Sequence, residues 1–111
     1  MTPAQFNGLL TRRLDLTKRV LASKGEEYAT DVDRLHNFKE GAKLLRSSVP
    51  ACVFSYASKH LVSIADIVAA TNQGTYPDRD VVDEKIGDAI NYLILLEAAL
   101  AEHYPTGEEQ K

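Results

Sequence analysis

Asp80, Glu84, Asp88 and Asn91 follow one another at spacings of four, four and three. At 100° per residue these side chains fall within roughly 80° of arc, so a helix carrying them presents a single oxygen-rich stripe. The opposite side carries Val82, Ile86, Ala89, Leu93 and Leu96, and beyond Asn91 the stripe runs into Leu95. Asp88 and Asn91 are therefore set among apolar neighbours, where a carboxylate without a partner costs on the order of several kcal/mol. A cation is the simplest partner, and oxygen donors at this spacing suit Mg²⁺. The competing reading is a solvated acidic stripe, or an Asp paired with a Lys or Arg of another helix.

Three other segments carry groups that do chemistry. Ser55, Lys59, Ser63 and Asp66 make a second polar stripe, with His60 on its shoulder near Val53 and Ile67. Lys59 is a candidate phosphate contact and His60 a candidate hydrogen-bond donor or base, against the plainer readings of a solvated lysine and a structural histidine. Arg13 and Thr17 share a side with Phe6, Val20 and Lys24. Arg13 there can neutralise a carboxylate of another helix, reach a phosphate, or simply extend past its apolar neighbours. The stretch Lys24 to Asp33 offers Glu27 as a metal ligand and Tyr28 as a surface for stacking a base, although acids in loops are commonly just solvated. Cys52, between Pro50 and Val53, reads as a core thiol, and no glycine-rich phosphate loop, nucleophile elbow or Cys-x-x-Cys is present.

The elements that must position these groups read as four helices with no strand pattern. Thr2-Pro3-Ala4-Gln5 is a capping box with proline at the first helical position, opening a helix that runs to about Ser23 and stops at Gly25. Residues 26–32 show no clear period and are expected to form a loop or a broken turn. Asp33 is the expected N-cap of a second helix bearing Leu35, Phe38, Ala42 and Leu45. Pro50 suits the first turn of a third, whose apolar face is Val53, Phe54, Ala57, Leu61, Ile64 and Val68, ending at Asn72-Gln73-Gly74. Tyr76-Pro77-Asp78 opens a fourth helix expected to reach about His103, a length of about 39 Å. From Ala89 to Ala101 this helix is apolar nearly all round, as befits one that is central or shared with another subunit.

The expected organisation is a single helical domain over residues 1–105, with residues 106–111 as a frayed tail. At 111 residues the chain buries a limited core by itself, so self-association is expected. Thirteen Lys+Arg against sixteen Asp+Glu give a net charge of −3, which argues against a general duplex-nucleic-acid surface. No apolar run approaches ~20 residues, and no basic stretch precedes an apolar one at the N-terminus, so neither a membrane span nor a secretory signal is expected. One cysteine makes no internal disulfide, which fits a reducing, cytoplasmic setting.

Four runs carry a resemblance: Lys24-Gly25-Glu26-Glu27-Tyr28-Ala29, Asp33-Arg34-Leu35-His36-Asn37-Phe38, Lys59-His60-Leu61-Val62-Ser63-Ile64, and Asp83-Glu84-Lys85-Ile86-Gly87-Asp88-Ala89-Ile90-Asn91-Tyr92. Over roughly residues 20 to 100 the chain resembles the MazG-like, all-α nucleotide pyrophosphohydrolases and the nucleotide-modification-associated domains grouped near them, small proteins common in bacteriophages. The resemblance implies an all-α four-helix bundle completed by homodimer or homotetramer formation. It also implies Mg²⁺-dependent hydrolysis of a nucleoside triphosphate to monophosphate and pyrophosphate. By motif, Glu84 and Asp88 correspond to acids of the metal-binding helix and Glu27 to an acid from the earlier segment. Lys24 and Lys59 then contact phosphate, Tyr28 or Tyr92 stacks on the base, and Asn37, His60 and Asn91 are further ligand contacts. Such enzymes usually show Glu-x-x-Asp on the second metal helix. Here Lys85 stands three before Asp88, with Glu84 one place earlier, which motivates the alternative of a non-catalytic nucleotide-binding or nucleotide-sequestering protein on the same fold.

Overall fold

The computed structural model describes residues 1–28 and 33–105, with backbone alone over 23–28. The chain is all-α: α1 (Pro3–Tyr28), α2 (His36–Leu45), α3 (Val49–Thr71) and α4 (Arg79–Ala101), with no strand among the described residues. The capping box forms reciprocally at the start of α1: the Thr2 amide donates to Gln5 Oε1 at 2.8 Å, and the Gln5 amide donates to Thr2 Oγ1 at 3.1 Å. Ser48 caps α3 by accepting from the Ala51 amide at 3.1 Å, with Pro50 in the first turn where its missing N–H costs nothing.

Three boundaries differ from expectation. α1 continues through Gly25 to Tyr28, so residues 26–28 are helical and not loop, while 29–32 lie outside the described residues. One glycine among good helix formers costs only about 1 kcal/mol, too little to end a long helix. Asp33 is not the N-cap of α2: that position belongs to Leu35, whose amide donates to Asp33 Oδ1 at 2.9 Å, while Asp33 Oδ2 accepts from Lys39 Nζ at 2.7 Å. α4 ends at Ala101, which makes its 23 residues about 35 Å long. The chain closes α2 through Arg46 in the left-handed conformation (φ 55°), not through a glycine.

α4 is central, as its apolar girth requires. On one side α3 packs antiparallel: Val53 lies in the core with Ala99, Leu95 and Leu96, while His60 meets Asp88 and Tyr92. α2 folds back on α3, with Phe38 edge-on to Tyr56 and Gly41 lying close to the buried Cys52. On the other side α1 runs parallel to α4. Arg12 meets Asp83, Arg13 crosses Gly87, and Leu21 shares a recess with Asn91 and Leu95.

The apolar face expected for α3 splits in two. Val53 and Ala57 are buried and Ile64 is half-buried, whereas Phe54, Leu61 and Val68 face outward. Phe6, Leu9, Leu10 and Leu14 of α1 and Leu45 of α2 are exposed as well. By length and composition α3 alone, among the described residues, is apolar enough to cross a membrane. This departs from the expectation that no segment reaches that length. Lys59 and Asp66 nevertheless fall within it.

Candidate functional site

The stripe of α4 faces α1 and sinks as it goes. Asp80 is exposed, the Glu84 side chain is 63% exposed, that of Asp88 is 26% exposed, and Asn91 retains only 6%. Together with Arg13, Thr17 and Val20 of α1 these residues line a cleft of about 380 Å³. Within it, Thr17 Oγ1 and Asn91 Oδ1 are buried, and neither has a hydrogen-bonding partner among the described residues. An unsatisfied buried polar atom costs about 1–3 kcal/mol, so two in one cleft mark a place built for something polar.

An ion pair joins α1 to α4 beside the cleft. Arg12 grips Asp83 with both guanidinium nitrogens, at 2.8 and 2.6 Å, and Arg13 approaches the same carboxylate at 3.6 Å. Arg13 also donates to the Asp83 carbonyl oxygen at 3.3 Å. A side chain at Gly87 would meet Arg13 Nη1 at 2.8 Å, so the glycine is what lets the guanidinium lie across α4. The Arg12 hydrogen bond holds the Asp83 carboxyl below the ordinary carboxylate range, against a smaller opposing effect of burial, and the same bond raises the Arg12 guanidinium. A carboxyl depressed by folding stabilises the native state above its unfolded pKa, and that contribution is lost as pH falls through the folded value. Thermal melts between pH 7 and pH 3 should therefore show a loss of stability below about pH 4. Asp83→Asn, lower in stability at neutral pH, should show a shallower acid limb.

His60 joins this cleft to a second feature. Its Nδ1 lies 3.7 Å from Asp88 Oδ2, and its ring stacks on Tyr92 at 4.9 Å between centroids and 18° between planes. Tyr92 stacks in turn on Tyr56 at 6.1 Å and 16°, and Phe38 meets both edge-on. Phe38, Tyr56, Tyr92 and Asn37 line an aromatic recess of about 240 Å³. A separate small gap of about 20 Å³, walled by Leu21, Arg34 and Leu95, shares Asp88 and Asn91 with the cleft and Phe38 and Tyr92 with the recess. Carboxylates and buried oxygens thus lie on the α1 side of this gap and flat aromatic rings on its α2–α3 side.

Of the residues singled out from sequence, Glu84, Asp88 and Asn91 come together in the cleft, Asn37 and Tyr92 in the recess, and His60 between them. Lys59 does not reach the cleft. Its ammonium lies 5.7 Å from the Tyr56 ring centroid, on the aromatic side. The side chains of Lys24, Glu27 and Tyr28 lie outside the described residues. Among the described residues no three His, Cys, Asp or Glu side chains converge as a metal-holding group. The donors present still suit Mg²⁺, which is commonly held by one or two carboxylates with substrate phosphates completing its shell. Sequence reading gave Thr17 no role in a site, and it did not pair Asp83 with Arg12, the ion pair that fixes α1 against α4. The available signal was Gly87, a helix-weakening residue in mid-helix where a close approach is needed.

Comparison of the chain with protein-family models, with curated proteins and with solved structures returns no match.

Proposed function

We propose that the protein binds a nucleoside triphosphate with Mg²⁺ across this face and hydrolyses it to the monophosphate and pyrophosphate. The observation that carries the reading is the pair of buried oxygens, Thr17 Oγ1 and Asn91 Oδ1, which have no partner among the described residues and line the same cleft as the Asp88 carboxylate. The motif resemblance of residues 83–92 supports it independently. Glu84 and Asp88 would hold the ion, with Glu27 of α1 as the acid that the resemblance adds. Bound there, the ion supplies charge neutralisation for phosphate and a more acidic water. His60 keeps the Asp88 carboxylate oriented, and Arg13 sets positive charge on the cleft wall. Phe38, Tyr56 and Tyr92 offer rings against which a planar base stacks, and Asn37 offers an amide to its edge. A cytoplasmic nucleotide pool is the setting this chemistry calls for.

Lys85 favours a second reading. It stands where the related motif has an acid, with its ammonium 3.9 Å from Glu84 Oε2. With one acid fewer, the same face would retain a nucleotide without cleaving it. Pyrophosphate release from a panel of nucleoside triphosphates, with Mg²⁺ and with EDTA, separates the two. Hydrolysis predicts Mg²⁺-dependent release from at least one triphosphate. Retention predicts saturable binding with the ligand recovered intact.

A further inference from the structure

We infer, resting on the reading of the α1–α4 cleft as a phosphate site, that Arg12 is a positioning residue. By filling both oxygens of Asp83 it keeps Arg13 from closing onto that carboxylate, and Arg13 is left to grip the phosphate chain of a metal-chelated polyphosphate.

Two guanidinium groups on adjacent residues of α1 meet one carboxylate on α4, and they share it unequally. Arg12 Nη1 donates to Asp83 Oδ1 at 2.8 Å, and Arg12 Nη2 donates to Oδ2 at 2.6 Å. That is the parallel fork that a guanidinium and a carboxylate make at full strength. Arg13 Nη2 stays 3.6 Å from the same Oδ1, beyond hydrogen-bonding range. Its bond to the Asp83 carbonyl oxygen is long, at 3.3 Å. Among the described residues no other carboxylate pairs with it. The Arg13 side chain is nevertheless the more buried of the two, 15% exposed against 41% for Arg12. A guanidinium has five N–H donors. The arginine with less access to water is therefore the one whose donors are mostly unspent, a costly state until a partner arrives.

Position identifies that partner. Of the two arginines only Arg13 lines the cleft, and the bare backbone at Gly87 gives its Nη1 a place against α4 where a Cβ would stand 2.8 Å away. With Asp83 neutralised by Arg12, the cleft walls carry Asp80, Glu84 and Asp88 against Arg13 alone. Three carboxylates around one guanidinium repel a bare anion, so a phosphate chain enters together with its own divalent cation. The ligand class is a Mg²⁺-bound polyphosphate, held by Arg13 from the α1 side.

Calorimetric titration of the full chain with inorganic tripolyphosphate and with a non-hydrolysable nucleoside triphosphate analogue, each in Mg²⁺, tests this. The parent should bind both. Arg13→Gln should lower both affinities at least about 30-fold, the loss expected when charge-assisted hydrogen bonds are removed. Arg12→Gln should lower them at least about fivefold although Arg12 lies outside the cleft, because Asp83 then captures Arg13. Adding Asp83→Asn to Arg12→Gln should restore affinity to within about twofold of the parent, since that carboxylate no longer draws Arg13 away. A merely structural role for the ion pair predicts a double variant no better than Arg12→Gln. Thermal melts follow folding. If Arg12→Gln unfolds, Arg12→Lys serves with the same sign, because a single ammonium covers Asp83 less completely than the guanidinium fork. Parental affinity in Arg13→Gln, or a double variant as weak as Arg12→Gln, overturns the inference, and the nucleotide reading survives that result if the analogue still binds. Binding of tripolyphosphate alone, with this order of variants, sustains the inference and removes the nucleotide reading. Binding of neither probe removes both.

Discussion

Asp88→Asn should reduce Mg²⁺-dependent pyrophosphate release by at least about 10²–10³-fold, the loss typical when one strong electrostatic contact to the reacting group is removed. The substitution keeps size and shape and removes only charge, and the effect is specific to this position. Asp88 lies midway down the cleft, its carboxylate 26% exposed, near His60 at 3.7 Å and one helical turn from Glu84. Asp83, one turn earlier on the flank of the same helix, is tied up by Arg12 at 2.6 and 2.8 Å. Asp83→Asn should therefore lower stability and spare turnover, while Asp88→Asn does the reverse. Steady-state kinetics beside thermal melts of the two variants provide the comparison. Equal loss of turnover in both would mean that the carboxylates act through the fold and not through a ligand.

Asn91→Leu should make the protein more stable and less able to bind. Asn91 is 6% exposed and its Oδ1 has no partner among the described residues. Replacing a buried unpartnered amide by an apolar group of similar size removes a desolvation penalty, so urea unfolding should shift toward higher stability by about 1–2 kcal/mol. The same change takes an oxygen donor from the cleft floor, and affinity for a nucleoside triphosphate should fall at least about tenfold. Stability kept below its attainable value at one position is the usual mark of a site. A variant that loses stability would instead assign Asn91 a structural role.

How far the sequence reached can be judged from particular residues. Local signals were right in part: the Thr2–Gln5 box, Pro50 in the first turn of α3 and the buried Cys52 are as expected, whereas Gly25 did not stop α1 and Asp33 did not cap α2. The descent of the α4 stripe from exposed Asp80 to buried Asn91 was also readable, because it follows from which residues flank it. Periodicity could not say which of two apolar faces has a neighbour. Val53 and Phe54 look alike in a helical pattern, yet one is fully buried and the other half open, since α4 covers only one side of α3. Partners distant along the chain were legible only as a class: an Arg13–carboxylate pair between helices was one reading, and it forms with Asp83, but nothing in the sequence said which carboxylate. Arg12 and Asp83 are 71 positions apart, and only the mid-helix Gly87 hints that a side chain from elsewhere crosses α4 there. The paired aromatic rings of Tyr56 and Tyr92 come from two helices and needed the α3–α4 packing to become a recess.

The central claim is that the α1–α4 cleft takes the phosphates and metal of a nucleotide whose base lies toward Tyr92. An amide-correlation NMR titration with a non-hydrolysable nucleoside triphosphate analogue, run in Mg²⁺ and again in EDTA, addresses it most directly. The account predicts shifts that depend on Mg²⁺ at Thr17, Asp88, Asn91 and Tyr92. Shifts confined to another surface, such as the Lys43–Arg46 end of α2, or no shifts at all at millimolar analogue, would contradict it.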